Sequence, residues 1–245
     1  MKKLFVAVLC FILPTVILRK IVVLWGWSMA PGSRIGFSFV WARVLCMRQG
    51  CRIGHFNFVR IESLDMQPTA YIGHLNYING PLSLTMDENA GVGNQNRIFR
   101  GALVIRRKIS QVKLGRYAKI TARHSVECLA DIVIGNYSTI AGSNTQIWTH
   151  GYYHYPVGLD RFRIDGGVNI GNNVYVGASC VISMGVTICD AVSIGSHSSV
   201  ARSIVEPGLY VSQPLRHIAM TPESVMSRLD ALPDGMSIER AYEKK

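Results

Sequence analysis

The densest group of chemically capable side chains in this 245-residue sequence is the stretch WTHGYYHYPVGLDRFR, from Trp148 to Arg163. It holds His150, His154, three tyrosines and a tryptophan. A neutral imidazole can take a proton from a hydroxyl or amine near physiological pH, which is the work of a general base. A histidine in a connecting segment also serves structure, bonded to nearby backbone. As a metal pair, His150 and His154 would need a third ligand, and the sequence does not place His124 or His197 beside them.

The six cysteines form no Cys-x-x-Cys pair, and Cys180 and Cys189 fall within an apolar repeat. That scatter suits buried free thiols in a reducing compartment better than disulfides or a zinc site. No metal is expected.

The net charge of +11 is unevenly spread. No acidic residue precedes Glu62, while Lys2, Lys3, Arg19, Lys20, Arg34, Arg43, Arg48, Arg52 and Arg60 do. The same region carries the apolar runs Leu4–Leu18 and Ile21–Trp27. Basic residues flanking apolar runs argue against a nucleic-acid face, which would be polar and interleaved with aromatics. They suit an anionic membrane surface, with Trp25 and Trp27 at its boundary. No small-x-small cleavage site follows Leu18 to mark a signal peptide. Pro14 and the Arg19-Lys20 pair break the run before the ~20 residues that a spanning helix needs. Residues 1–33 are therefore expected as a helix or helical hairpin lying in the interface, with a helix that caps a soluble core as the alternative.

Six-residue periodicity dominates the rest. From Ile170 every sixth residue is aliphatic: Val176, Ile182, Ile188, Ile194 and Val200. A second register runs Val168, Val174, Cys180, Val186, Val192 and Ser198. Upstream the spacing gives Leu114, Ile120, Val126 and Ile132, and then restarts at Ile134 and Ile140. An amphipathic helix repeats at about 3.6 and cannot supply this pattern. Short strands joined by tight turns can, three to a triangular coil of about 18 residues, with Gly or Asn at positive-φ turn positions. Ile53, Ile72 and Val92 are candidate inward positions of degenerate early coils between Arg34 and Arg107, a stretch that a small cap would also explain. The expected fold is all-β, a parallel β-helix, with an apolar helical segment before it and a short helix after it. The repeat breaks between Ile147 and Ile164, so residues 148–165 are expected as a loop ejected from the coil, a usual place for function. After Pro207-Gly208, the Thr221-Pro222-Glu223 signature with Met226 and Leu229 predicts a helix within a 219–245 extension.

The segments IGNNVYVGASCVISMGVTI, SIGSHSSVARSI and SQPLRHI resemble the hexapeptide-repeat acyltransferases, and among them the sugar O-acetyltransferases of the galactoside and maltose type. The likeness covers about Leu114 to Ile218. It implies a left-handed parallel β-helix over residues 34–218 and a homotrimer with its sites between subunits. It also implies acetyl-coenzyme A as acyl donor, a glycan acceptor, and His150 as the general base. Tyr175, Ala178 and Ser196 match positions along the pantetheine arm, and Arg202 and Arg216 match basic positions near the phosphates. His124 and His154 are candidates for touching the acceptor.

The chain departs from that family in RYAKITARHSVECLADIVIG, where the acceptor-binding Asn and acids have no clean counterpart. With the basic apolar N-terminus, this points to a membrane-held acceptor, a lipid-linked sugar or envelope polysaccharide, met at the cytoplasmic face of the inner membrane. Three rival readings are acylation of an amino sugar on nitrogen, a β-helical zinc carbonic anhydrase needing three histidines, and a scaffold without activity.

Overall fold

The computed structural model describes residues 2–101, 108–158, 160–212, 227, 229–231 and 242–244. Contacts divide the chain into two units, Met1–Ser212 and Gln213–Lys245.

The first unit is a three-sided parallel β-helix. One side is a nine-stranded parallel sheet with one strand per coil, so there are nine coils among the described residues. Its inward residues align in register as Ile35, Ile53, Ile72, Val92, Ile120, Ile140, Val176, Ile194 and Tyr210. A second side stacks Val40, Val59, Ile78, Ile98, Val126, Ile147, Ile182 and Val200. The third stacks Met47, Met66, Met86, Leu114, Ile134, Ile170 and Ile188. Every residue in these columns but Tyr210 is buried, and together they form one continuous core. Each such side chain contributes about 1.5–3 kcal/mol by leaving water. The second and third sides merge into one sheet because Phe39–Met47 and Phe58–Met66 run unbroken round the corner between them.

Ile53, Ile72 and Val92 point inward as expected, and residues 34 to 101 are coils instead of a cap. The turn chemistry differs from expectation. Positive φ is taken by Phe56, Leu75, Gln95, Tyr117, Arg123 and Tyr137 as well as by Asn89, Asn144 and Asn173. The glycines after the aliphatic residue serve another purpose, which is closeness. A Cβ on Gly135 would lie 2.4 Å from the Gly171 carbonyl oxygen, and one on Gly177 would lie 2.7 Å from the Ser196 nitrogen. These positions need a missing side chain, not a left-handed backbone.

The corner leading into the second side carries a buried polar column, Ser38, Asn57, Asn76, Asn96, His124, Thr145 and Ser198, with buried Cys180 between the last two. Each asparagine binds the coil on either side. Asn76, for example, donates through its amide to the Gly93 carbonyl (2.7 Å) and to Asn57 Oδ1 (3.0 Å), while its own Oδ1 accepts from the Asn96 backbone N–H (2.8 Å). Buried amides are costly unless every group is partnered, and this column partners them in series.

At the N-terminus α1 (Lys2–Ile12) and α2 (Thr15–Val22) are separated at Leu13-Pro14, where proline interrupts the helical run. Cys10, Leu18 and Val22 join the core. Val8, Phe11, Ile12, Val16, Ile17 and Leu24 are exposed. The pair thus closes the first coil with one face and leaves an apolar face outward. Among the described residues no helix is long and apolar enough to cross a membrane.

In the second unit Leu229–Ala231 pairs antiparallel with Tyr242–Lys244. Leu229, expected on a helix, is therefore in a strand, whereas Thr221, Pro222, Glu223 and Met226 lie outside the described residues.

Candidate active site

The segment expected to be ejected from the coil is a two-stranded antiparallel arm, His150–His154 with Arg161–Asp165. Its base is closed by Gly166 N–H donating to the Thr149 carbonyl, 2.9 Å. Ile147 before the arm and Val168 after it occupy regular inward positions, so the coil continues across the insertion. Thr149 is fully buried and His150 is the first residue to emerge, with about a quarter of its side chain exposed.

Beneath the arm lies a carboxylate that the sequence reading did not single out. Glu127 sits one coil earlier and is 3% exposed. Its Oε1 accepts from the Leu129 N–H (2.9 Å), and its Oε2 accepts from the Thr149 hydroxyl (2.7 Å) and N–H (3.1 Å). The His150 Nδ1 is 3.0 Å from the same Oε2, though its N–H is not aligned for a straight hydrogen bond. Thr149 is itself fixed by the Ala130 N–H, which donates to its hydroxyl at 3.0 Å. A buried carboxylate beside Nδ1 orients an imidazole and favours the cation that forms when Nε2 takes a proton. Val126 and Ile147 share a register, which puts Glu127 one coil below the Trp148-Thr149 corner.

Other groups frame His150. Tyr152 meets its ring edge to face at 5.9 Å, and Asp165 is its Cα partner across the arm. On the coil above, Met184 closes on Gly151, where an added Cβ would lie 2.9 Å from the methionine methyl. Further out the arm is aromatic: Tyr153 stacks on Phe162 at 5.3 Å, and the Arg161 guanidinium lies 4.8 Å over the Tyr152 ring.

The remaining candidate residues are spread over several parts of the surface. His154 is exposed near the end of the arm, four residues along a strand from His150 and thus about 13 Å away, too far to share a metal. Among the described residues no three His, Cys, Asp or Glu side chains could hold a metal ion. Tyr175 is half-exposed on the nine-stranded side. Ala178 and Ser196 adjoin one another at the next corner, where His197 N–H donates to the Ala178 carbonyl (2.9 Å). Arg202 is exposed at the corner that carries His150, two coils further along, because Ile147, Ile182 and Val200 share one column. Two coil spacings amount to about 10 Å. Arg216 lies outside the described residues.

His124 is not where an acceptor could meet it. It is 2% exposed, within the corner column. Its Nδ1 accepts the Thr145 backbone N–H (3.1 Å), and Nε2 lies 3.0 Å from the Thr121 hydroxyl. Burial lowers its pKa to about 4. The side chain occupies the slot that Asn57, Asn76 and Asn96 fill in earlier coils, and its work is to hold adjacent coils together.

No family model matches the chain, and no curated protein matches it. Solved structures do. The polysialic-acid-specific acetyltransferase NeuO is 16% identical over 80% of this chain and 84% of that chain, with a TM-score of 0.40. The polysialic acid O-acetyltransferase OatWY is 16% identical over 82% of this chain and 91% of that chain, also at 0.40. A mutant of AntD, an N-acyltransferase from Bacillus cereus in complex with dTDP and coenzyme A, is 14% identical over 71% of this chain and 86% of that chain, at 0.37. The chain's own coils, with aliphatic columns on three sides and parallel pairing throughout, make it a hexapeptide-repeat parallel β-helix.

Proposed function

We propose that the chain is an acyltransferase that moves an acetyl group from acetyl-coenzyme A to a sugar hydroxyl, with His150 as general base. The observation that carries this reading is an imidazole at the mouth of an arm, its Nδ1 3.0 Å from a buried carboxylate. In the proposed reaction His150 Nε2 takes the acceptor hydroxyl proton as the oxygen attacks the thioester carbonyl. A tetrahedral oxyanion forms and then collapses. The carbon–sulfur bond breaks, and the coenzyme A thiolate takes the proton back from the imidazolium. Glu127 holds the ring and offsets its transient positive charge.

Coenzyme A is proposed to lie along Tyr175, Ala178 and Ser196, with its phosphates met by Arg202. Within one chain Ala178 and Ser196 occupy a different corner from His150. That separation favours a homotrimer in which one chain's imidazole meets a donor held on its neighbour. The acceptor is proposed to be a lipid-linked glycan or envelope polysaccharide at the cytoplasmic face of the inner membrane, on the strength of the basic N-terminus and the outward apolar face of α1 and α2.

The test is to incubate purified protein with acetyl-coenzyme A and envelope glycan fractions and to follow thiol release for wild type and His150→Ala. Thiol release that is unchanged in the variant removes the base. An amino-sugar acceptor is the second reading, because an amine needs the same base. A product stable to alkali identifies it, since esters are cleaved and amides survive.

A further inference from the structure

A concave feature lies at the N-terminal end of the coil stack, away from the arm. It is a groove of about 520 Å³ between the α1–α2 joint and the first four coils. One wall is Leu13, Pro14 and Thr15; the floor and far wall include Arg34, Arg52, Tyr71, His55, His74 and Asn94. Arg34, Arg52 and Tyr71 stand in register on consecutive coils, pointing outward. The Tyr71 ring lies over Gly91, where an added Cβ would meet the ring at 2.4 Å, and the Arg52 guanidinium is 5.8 Å from the ring centre.

The polar side of this groove presents hydrogen-bond donors. Phe37 N–H donates to His55 Nδ1 (3.1 Å), His55 N–H to His74 Nδ1 (3.0 Å), and His74 N–H to Asn94 Oδ1 (2.8 Å). The acceptor atom of each side chain is thereby consumed, which leaves Nε2–H on both imidazoles and the Asn94 amide as donors. The Thr15 hydroxyl is spent on the Ile35 backbone, donating to its carbonyl at 2.7 Å and accepting its N–H at 3.1 Å. Among the described residues no carboxylate lines the groove, and neither Arg34 nor Arg52 is ion-paired. Two guanidiniums and three neutral donors facing one space complement a phosphate. Beside it Phe11, Ile12, Val16 and Ile17 of α1 and α2 are exposed. The chemistry is that of an amphiphile, an anionic head with apolar chains adjoining it.

We propose that this groove receives the phosphate headgroup of a membrane lipid, whose acyl chains continue along the outward apolar faces of α1 and α2. The site extends the membrane contact proposed above but does not depend on acyl transfer, and its test reads binding alone. Full-length protein is sedimented with phosphatidylcholine vesicles, with and without phosphatidylglycerol. Arg34→Gln/Arg52→Gln is expected to lose about thirtyfold in partition onto the anionic vesicles. Lys113→Gln/Lys119→Gln, with the same charge removed from later coils, should lose at most about threefold. Dihexanoyl phosphatidic acid, soluble below its micelle concentration, should raise the melting temperature of wild type and not of the arginine variant. Equal losses for the two double variants, or equal sedimentation on vesicles lacking phosphatidylglycerol, would overturn the site. So would the same melting shift from inorganic phosphate alone, which would mark a phosphate site indifferent to lipid.

Discussion

Glu127 and His150 meet at 3.0 Å from adjacent coils, 23 residues apart in sequence, with Thr149 bonded to the same carboxylate oxygen. The pair is built by stacking, so its geometry is as rigid as the coil beneath it.

Replacing His150 with alanine is expected to lower kcat about 10²–10⁴-fold with little change in fold. Glu127→Gln keeps the shape but removes the charge beside Nδ1, so it should lower kcat with KM nearly constant. A Glu127→Gln enzyme whose kcat matches wild type would show that the carboxylate only packs.

Stability should fall on acidification because of His124. Its folded pKa, about 4, lies below the 6.5 of an ordinary histidine because the ring is buried. Between these values the unfolded chain binds the extra proton, so this contribution is full above about pH 6.5 and is lost as pH falls toward 4. His124→Asn reproduces the side chain used in the preceding coils. Its melting temperature should therefore change less than that of wild type between pH 7 and 5, a comparison that calorimetry makes directly.

Gly135→Ala should cost about 1–3 kcal/mol or more, because the new methyl would sit 2.4 Å from the Gly171 carbonyl oxygen, in the backbone of the next coil. Gly158→Ala, on the arm, meets nothing within 4 Å and carries only the strain of a left-handed backbone, φ +79°. Its cost should stay near about 1 kcal/mol. Urea denaturation of the two variants separates close approach from backbone freedom.

Cys10 and Cys128, both fully buried, should resist alkylation in the native state. Burial raises the Cys10 thiol to about 12 and pushes Cys128 up further still. Iodoacetamide at mild alkaline pH, read by peptide mass, should leave both unmodified until denaturant is added. Early labelling of Cys128 would mean that its coil opens.

The later coils were legible because their spacing is regular: Ile170 to Val200 repeats every six residues, and each of those residues is buried. The early coils were faint because neighbouring inward residues stand 19 apart from Ile53 to Ile72 and 20 from Ile72 to Val92, so no single hexad register spans them. Their corners are also filled by Asn57, Asn76 and Asn96, which read as polar interruptions until the coils are stacked. His150 is a candidate from sequence through its place in the broken repeat together with the family resemblance. Glu127 was passed over because, in one dimension, it is an acid beside a strand residue; only the coil-to-coil register brings it under Thr149. His124 drew attention as a histidine near the right place, whereas its neighbours along the corner show it to be a structural amide substitute.

The bond from Gly166 N–H to the Thr149 carbonyl lets the coil close as though residues 150–165 were not there. The arm therefore behaves as a detachable tool on a fixed handle. Its length and aromatic content can change without disturbing the coil, while Glu127 and Thr149, which lie against the imidazole, remain in the handle.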